Sequence, residues 1–151
     1  MRTVRNILDN KQKGDNITSP DTLVIDALGI MSRVNLSYLI VMEENEFRGL
    51  FSERDYSRNL VLKGRSSSST PVKDVMTSDL PSVSVTDSVE KCMKEMISNK
   101  TRYLIALGRD AGFEGVITIH DLLREVISNK EGVFDSVAHE LLDHDETGHV
   151  Y

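Results

Sequence analysis

Residues 49–55, GLFSERD, return as GVITIHD at 115–121: glycine, an apolar pair, a hydroxyl residue, two variable positions, aspartate. Gly49 and Gly115, Ser52 and Thr118, and Asp55 and Asp121 all stand 66 positions apart. Upstream the offset is 65, pairing Val24 with Val89, Ala27 with Cys92, Leu28 with Met93, Met31 with Met96, and the YLI triplets that begin at Tyr38 and Tyr103. One residue inserted where EENE becomes the looser GRDAG accounts for the change. Self-similarity over about 45 positions, with the length difference confined to a turn, marks a duplicated supersecondary unit. At 151 residues there is room for one compact unit or for two half-size lobes sharing a core, whereas two full independent domains would be tight.

Each copy reads alike. Val24, Ala27, Leu28 and Met31, and again Val89, Cys92, Met93 and Met96, fall at i, i+3, i+4 and i+7, which predicts an amphipathic helix. TSPD and SVTD precede these helices and offer caps, with Pro20 near the first start. Then come YLIVM or YLIAL, a turn-rich break, and RGLF or EGVIT: a β-hairpin feeding a helix that carries Tyr56, Leu60 and Val61, or Leu122, Leu123, Val126 and Ile127. Gly64 and Gly132 are plausible helix stops. Short lead-in strands are expected at Asn16 (NIT) and Ser82 (SVSV). The boundaries are residues 1–66 for the first repeat with its lead-in, 67–130 for the second, and 131–151 for a weakly amphipathic helix (Val133, Phe134, Val137, Leu141, Leu142) with a polar tail. KGRSSSSTP reads as a surface linker between repeats.

A net charge of −6 and a pI near 5.2 argue against a nucleic-acid partner, which needs a surplus of Lys and Arg on one face. No run approaches the ~20 apolar residues of a membrane span, and MRTVRNILDN lacks the apolar core of a signal peptide. A lone cysteine, Cys92, allows neither an internal disulfide nor a cysteine zinc site, and it fits the reducing cytoplasm.

In SERD and TIHD the hydroxyl sits where a strand turns into a helix, with an acid three residues on. One reading is a capping box, in which Ser52 or Thr118 accepts from the N3 amide and Asp55 or Asp121 reaches back to the N-cap amide. The other is a ligand site. A helix start offers N–H groups and partial positive charge to a phosphate, the hydroxyl adds a donor, and a carboxylate's two acceptor oxygens suit a ribose cis-diol. Glycine before the strand end allows close approach of a ligand or a backbone.

Two tandem units with this motif, a KGRSS linker and the following TPVKDVMTSDLPSVSVTDSVEKCM resemble a cystathionine-β-synthase-type (CBS) domain pair in its stand-alone bacterial form, over about residues 2–130. The resemblance implies an α/β (α+β) fold of two β-α-β-β-α repeats related by a pseudo-two-fold axis, sheets packed together and helices outside, with adenosyl ligands in one or both clefts. Carried over, Asp55 and Asp121 each grip a ribose, and Ser52 and Thr118 meet phosphate. Leu36, Ser37 and the stretch from Lys13 to Ile17 would line the adenine of the Asp121 site, and Thr101, Arg102 and the stretch from Met76 to Leu80 that of the Asp55 site.

For phosphate cations the first copy offers Arg54, Arg58, Lys63 and Arg65, and the second His120, Arg124 and Arg102. Arg54 and Arg102 are favoured because a guanidinium fork suits phosphate oxygens. Two features depart from the family pattern: RYLIA opens the second hairpin, and His120 stands before the motif aspartate, where it either pairs with a phosphate or blocks it.

The function implied is a non-enzymatic sensor of adenine nucleotides (AMP, ADP or ATP, with NADH and S-adenosylmethionine in the same class), forming a homodimer and signalling to an unidentified effector protein. The alternative is a ligand-free dimerisation scaffold. The family is sometimes joined to inosine-monophosphate dehydrogenase barrels, but a barrel of ~250 residues does not fit here. No catalytic set, catalytic cofactor or metal site is expected. His139, His144 and His149, with Asp143 and Asp145, read as a polar tail, and Cys92 and the methionines as core.

Overall fold

The computed structural model describes residues 2–11 and 15–129. The expected C-terminal helix and tail, the stop at Gly132, the terminal histidines, and Lys13 with Gly14 fall outside them. In chain order come α1 (Val4–Asn10), β1 (Ile17–Thr18), α2 (Val24–Val34), β2 (Tyr38–Glu43), β3 (Glu46–Ser52) and α3 (Glu53–Asp55), which runs on as π-helical turns over Tyr56–Val61. A 3-10 turn at Val72–Asp74 leads to β4 (Ser82–Ser84), α4 (Val89–Asn99), β5 (Tyr103–Leu107), β6 (Phe113–Thr118) and α5 (Ile119–Asn129).

The fold is α/β, with two three-stranded sheets of order β1-β2-β3 and β4-β5-β6. In each, the lead-in strand runs parallel to the middle strand, and the hairpin is antiparallel. Gly49 lies opposite Val41 and Gly115 opposite Ala106, and both hairpins change register at the next pair. The first turns through Glu44 and Asn45, both left-handed at φ 51° and 67°, as a two-residue hairpin requires. The second closes through Gly108 N to Gly112 O at 2.9 Å, with Ala111 at φ 62°. The extra residue sits in this turn, which is why the repeat offset moves from 65 to 66 between outgoing and returning strands.

In the second copy the helix cap falls one residue past SVTD. Ser88 caps α4, accepting from Lys91 N at 3.1 Å. In the other, TSPD caps nothing by side chain: α2 starts behind Leu23, and Val24 N and Ile25 N donate to Thr70 O at 2.9 Å and Ser67 O at 3.0 Å. Orphan N–H groups accept any well-placed carbonyl, and the serine-rich linker supplies them.

Contacts divide the described chain into one unit of residues 2–11 with 80–129 and another of 15–79. In the first, α1 places Val4 and Ile7 in a core with Val83, Val89, Met93, Met96, Leu104, Ile117 and Leu122. In the second, Val72 and Val75 join Val24, Ala27, Leu39, Val41, Phe51 and Leu60. The docking is matched bond for bond. Val4 N and Arg5 N donate to Asp87 O and Val85 O at 2.9 and 3.0 Å, while Val72 N and Lys73 N donate to Thr22 O and Pro20 O at 2.8 and 3.0 Å. Fully burying a Val or Ile side chain contributes ~1.5–3 kcal/mol, so each lead-in is an integral part of the core it enters.

Candidate functional site

At the end of β3 the chain leaves the sheet through Ser52, whose hydroxyl accepts from Asp55 N at 3.3 Å. Asp55 reaches back: its Oδ2 accepts from Ser52 N at 2.9 Å and from Ser52 Oγ at 3.0 Å. Its other oxygen, Oδ1, accepts from the Thr77 hydroxyl at 2.6 Å and, more weakly, from Asn59 Nδ2 at 3.4 Å. The carboxylate is buried. Burial lifts its pKa above the usual 3.8, the hydrogen bonds from Thr77 and Ser52 and the charge of Arg54 pulling the other way without cancelling it.

At the end of β6 the same box recurs, with Thr118 N to Asp121 Oδ2 at 2.8 Å and Asp121 N to Thr118 Oγ1 at 3.2 Å. The remaining partners are charged. Lys11 Nζ donates to Asp121 Oδ2 at 2.9 Å and to Val116 O at 2.9 Å, and Arg124 Nη2 donates to Asp121 Oδ1 at 2.7 Å. Both junctions are thus capping boxes, and at both a second carboxylate oxygen, Oδ1, is turned to other donors. The first amide of each helix is already used, Glu53 N by Ser37 O at 3.1 Å and Ile119 N by Arg102 O at 3.0 Å.

The motif glycines owe their place to packing inside each unit. A Cβ on Gly49 would stand 2.7 Å from Thr77 O, and one on Gly115 would stand 2.8 Å from Leu8 Cδ2. Across β3 the residue after Gly49 pairs with the lead-in backbone, Leu50 N to Thr77 O and Thr77 N to Leu50 O, both at 2.8 Å. Of the two uses that a glycine offered, close approach of backbone is the one realised at Gly49.

The CBS domain family matches residues 17–62 and 72–128, both halves of the duplication. The chain belongs to the CBS domain family. Among curated relatives it is 32% identical to the mitochondrial CBS domain-containing protein CBSX3 of Arabidopsis thaliana, over 83% of this chain and 65% of that one. The chain therefore spans about two thirds of that relative's length. Among solved structures, a CBS-domain protein from Burkholderia ambifaria MC40-6 is 31% identical, with a TM-score of 0.75, over 85% of this chain and 96% of that one. A structure of CBSX2 in complex with AMP, 23% identical, shares the fold at a TM-score of 0.68 over 87% of this chain and all of that one.

Within this CBS pair the expected residues fall as follows. Ser52, Asp55, Thr118 and Asp121 are buried together at their junctions, whereas Arg54 and His120, next to them, are exposed. Ser37 and Arg102 stand at the mouths of the hairpins, each with its carbonyl on the helix start of its own unit. Ile17 and Leu36 are exposed apolar residues, Ser37 is exposed, and Thr101 and Leu80 are half-buried. Thr77, within the stretch expected beside Asp55, does reach that residue. Arg124 is the second copy's cation that meets its carboxylate, through the i, i+3 spacing of α5.

Lys11 was not legible. It lies 110 residues from Asp121, and no local spacing connects them. Among the described residues no cluster of His, Cys, Asp or Glu is placed to hold a metal ion, and no helix is long and apolar enough to cross a membrane. The Cys92 thiol is buried, and that burial, with the charge of Asp87, pushes its pKa up to about 12. It is no nucleophile.

Proposed function

We propose that this CBS pair is a non-enzymatic regulatory module that binds adenine nucleotides at its two strand-to-helix junctions, with AMP, ADP or ATP as the leading class and NADH or S-adenosylmethionine as further members. The observation that carries the reading is the doubled junction, in which a buried carboxylate keeps one oxygen beyond its capping box. Ribose hydroxyls would donate to Asp55 and Asp121, and phosphates would meet Ser52, Thr118, Arg54, Arg102 and His120. The adenine would lie against Ile17, Leu36, Ser37, Thr101 and Leu80. The AMP complex of CBSX2 supports the ligand class. A homodimer acting on an effector protein in the cytoplasm completes the proposal, and a lone cysteine suits that reducing setting.

The scaffold reading has its own support, since every carboxylate oxygen at the two junctions already has a donor in the chain. Thermal unfolding with each adenine compound at 100-fold over its Kd separates the two. A ligand that binds the folded form alone adds ~2.7 kcal/mol, a shift of several degrees for a chain of this size. No shift with any adenine compound would favour the scaffold.

A further inference from the structure

An ionised carboxylate offers about four acceptor positions. Asp55 fills them from within its own unit, with Ser52 N and Ser52 Oγ on Oδ2 and with Thr77 Oγ1 and Asn59 Nδ2 on Oδ1. A diol arriving at Oδ1 first replaces the Asn59 contact, which is long at 3.4 Å and leaves that amide its bond to Val75 O. Its second hydroxyl then competes with Thr77. That bond, at 2.6 Å, has the length of a charge-assisted O–H···O⁻ bond. The threonine cannot draw back with its chain, because its backbone N and O are both paired with Leu50 at 2.8 Å.

At Asp121, Thr118 N and Lys11 Nζ hold Oδ2, and Arg124 Nη2 is the one donor on Oδ1 among the described residues. One hydroxyl of a diol finds an open position there. The other meets Arg124, whose side chain is 69% exposed and returns to water at little cost. Lys11 keeps both of its bonds.

Resting on the nucleotide-binding reading above, we infer that the two junctions bind unequally: Asp121 is the tighter ribose site, and Thr77 is an affinity-determining residue that weakens the Asp55 site by holding the carboxylate oxygen a ribose would use. The first repeat then fills at a higher nucleotide concentration than the second, and one chain reports two concentration ranges.

Titration calorimetry of the full chain with AMP tests this. The wild type should show a tight and a weaker event, about tenfold apart in Kd, or ~1.4 kcal/mol. Asp121→Asn should remove the tight event and Asp55→Asn the weak one. In the Asp121→Asn background, Thr77→Ala should tighten the remaining event about tenfold, and Thr77→Ser, which keeps the hydroxyl, should leave it near its starting value. A threonine that merely held the junction together would give the opposite sign. Unchanged or weaker binding in Thr77→Ala would therefore overturn the inference, as would equal affinities at the two junctions or loss of the tight event in Asp55→Asn. Should Thr77→Ala fail to fold, the two single aspartate variants still decide which junction is tighter. A wild-type chain that does not bind AMP would remove the nucleotide reading itself, a result distinct from these.

Discussion

Asp55 and Asp121 occupy the same place in the two repeats, yet the first is met by a threonine and an asparagine and the second by a lysine and an arginine. The difference comes from the lead-in segments more than from the motif. After the 3-10 turn at Val72–Asp74 the chain becomes extended and pairs its backbone with Leu50, which brings Thr77 over Asp55. The matching N-terminal segment stays helical through Asn10, and the group that reaches Val116 O is the Lys11 ammonium. The following helices differ too. Regular turns in α5 bring Arg124 to its acid, whereas π-helical turns after Asp55 bring Asn59 to its acid and leave Arg58 exposed. A duplicated motif therefore fixes the capping box in both copies, and the segment laid across it decides the charge of the surroundings.

The largest expected effect tests that overlay. Gly49→Ala pushes a methyl against a backbone carbonyl that is itself hydrogen-bonded, while Gly115→Ala meets the end of the Leu8 side chain, which can rotate. Overpacking costs ~1–3 kcal/mol, so urea midpoints should place Gly49→Ala near ~3 kcal/mol and Gly115→Ala near ~1. Equal losses would mean that the two lead-ins press on their hairpins alike. Next, Thr77→Val takes the shortest donor from a buried carboxylate, for which ~1–3 kcal/mol is usual; we expect about 2. Lys11→Met takes one of two cations from a buried carboxylate, a loss of ~3–5 kcal/mol where no partner remains; because Arg124 and the capping box stay in place, we expect about 1 kcal/mol by the same measurement. A reversed order would show that Lys11, and not Thr77, is the stronger support.

Much of this was open to sequence reasoning, for a physical reason in each case. The apolar spacing of Val89, Cys92, Met93 and Met96 describes a buried helix face, and all four are buried. The 65-to-66 change in offset located the inserted residue in the second hairpin turn, where Gly108 and Gly112 close it. Both capping boxes are local, spanning three residues. What escaped was non-local. Nothing in VRNILDN says that Val4 and Ile7 enter a core with Leu104 and Ile117. The start of α2 looked like the business of TSPD, yet the linker carbonyls took it. The π-helical turns after Asp55 carry no residue pattern of their own, and the Lys11 pairing joins opposite ends of the described chain.

The smallest effect is on pH dependence, and it bears on the first junction. Burial holds the Asp55 pKa above its ordinary 3.8, so the folded protein binds that proton more tightly than the unfolded chain does. The resulting stabilisation is fully present below the unfolded value and is lost as pH rises through the folded one. At neutral pH the ionised carboxylate is therefore a cost, which Asp55→Asn removes. The stability of the wild type relative to Asp55→Asn should rise as pH falls from 7 toward 4, read as a converging or crossing pair of urea midpoints; parallel midpoints would mean that burial does not perturb this acid. Ligand binding runs the other way. On the proposed nucleotide reading a ribose would donate to the ionised form, so affinity at Asp55 should weaken over the same range in which its own contribution to folding grows.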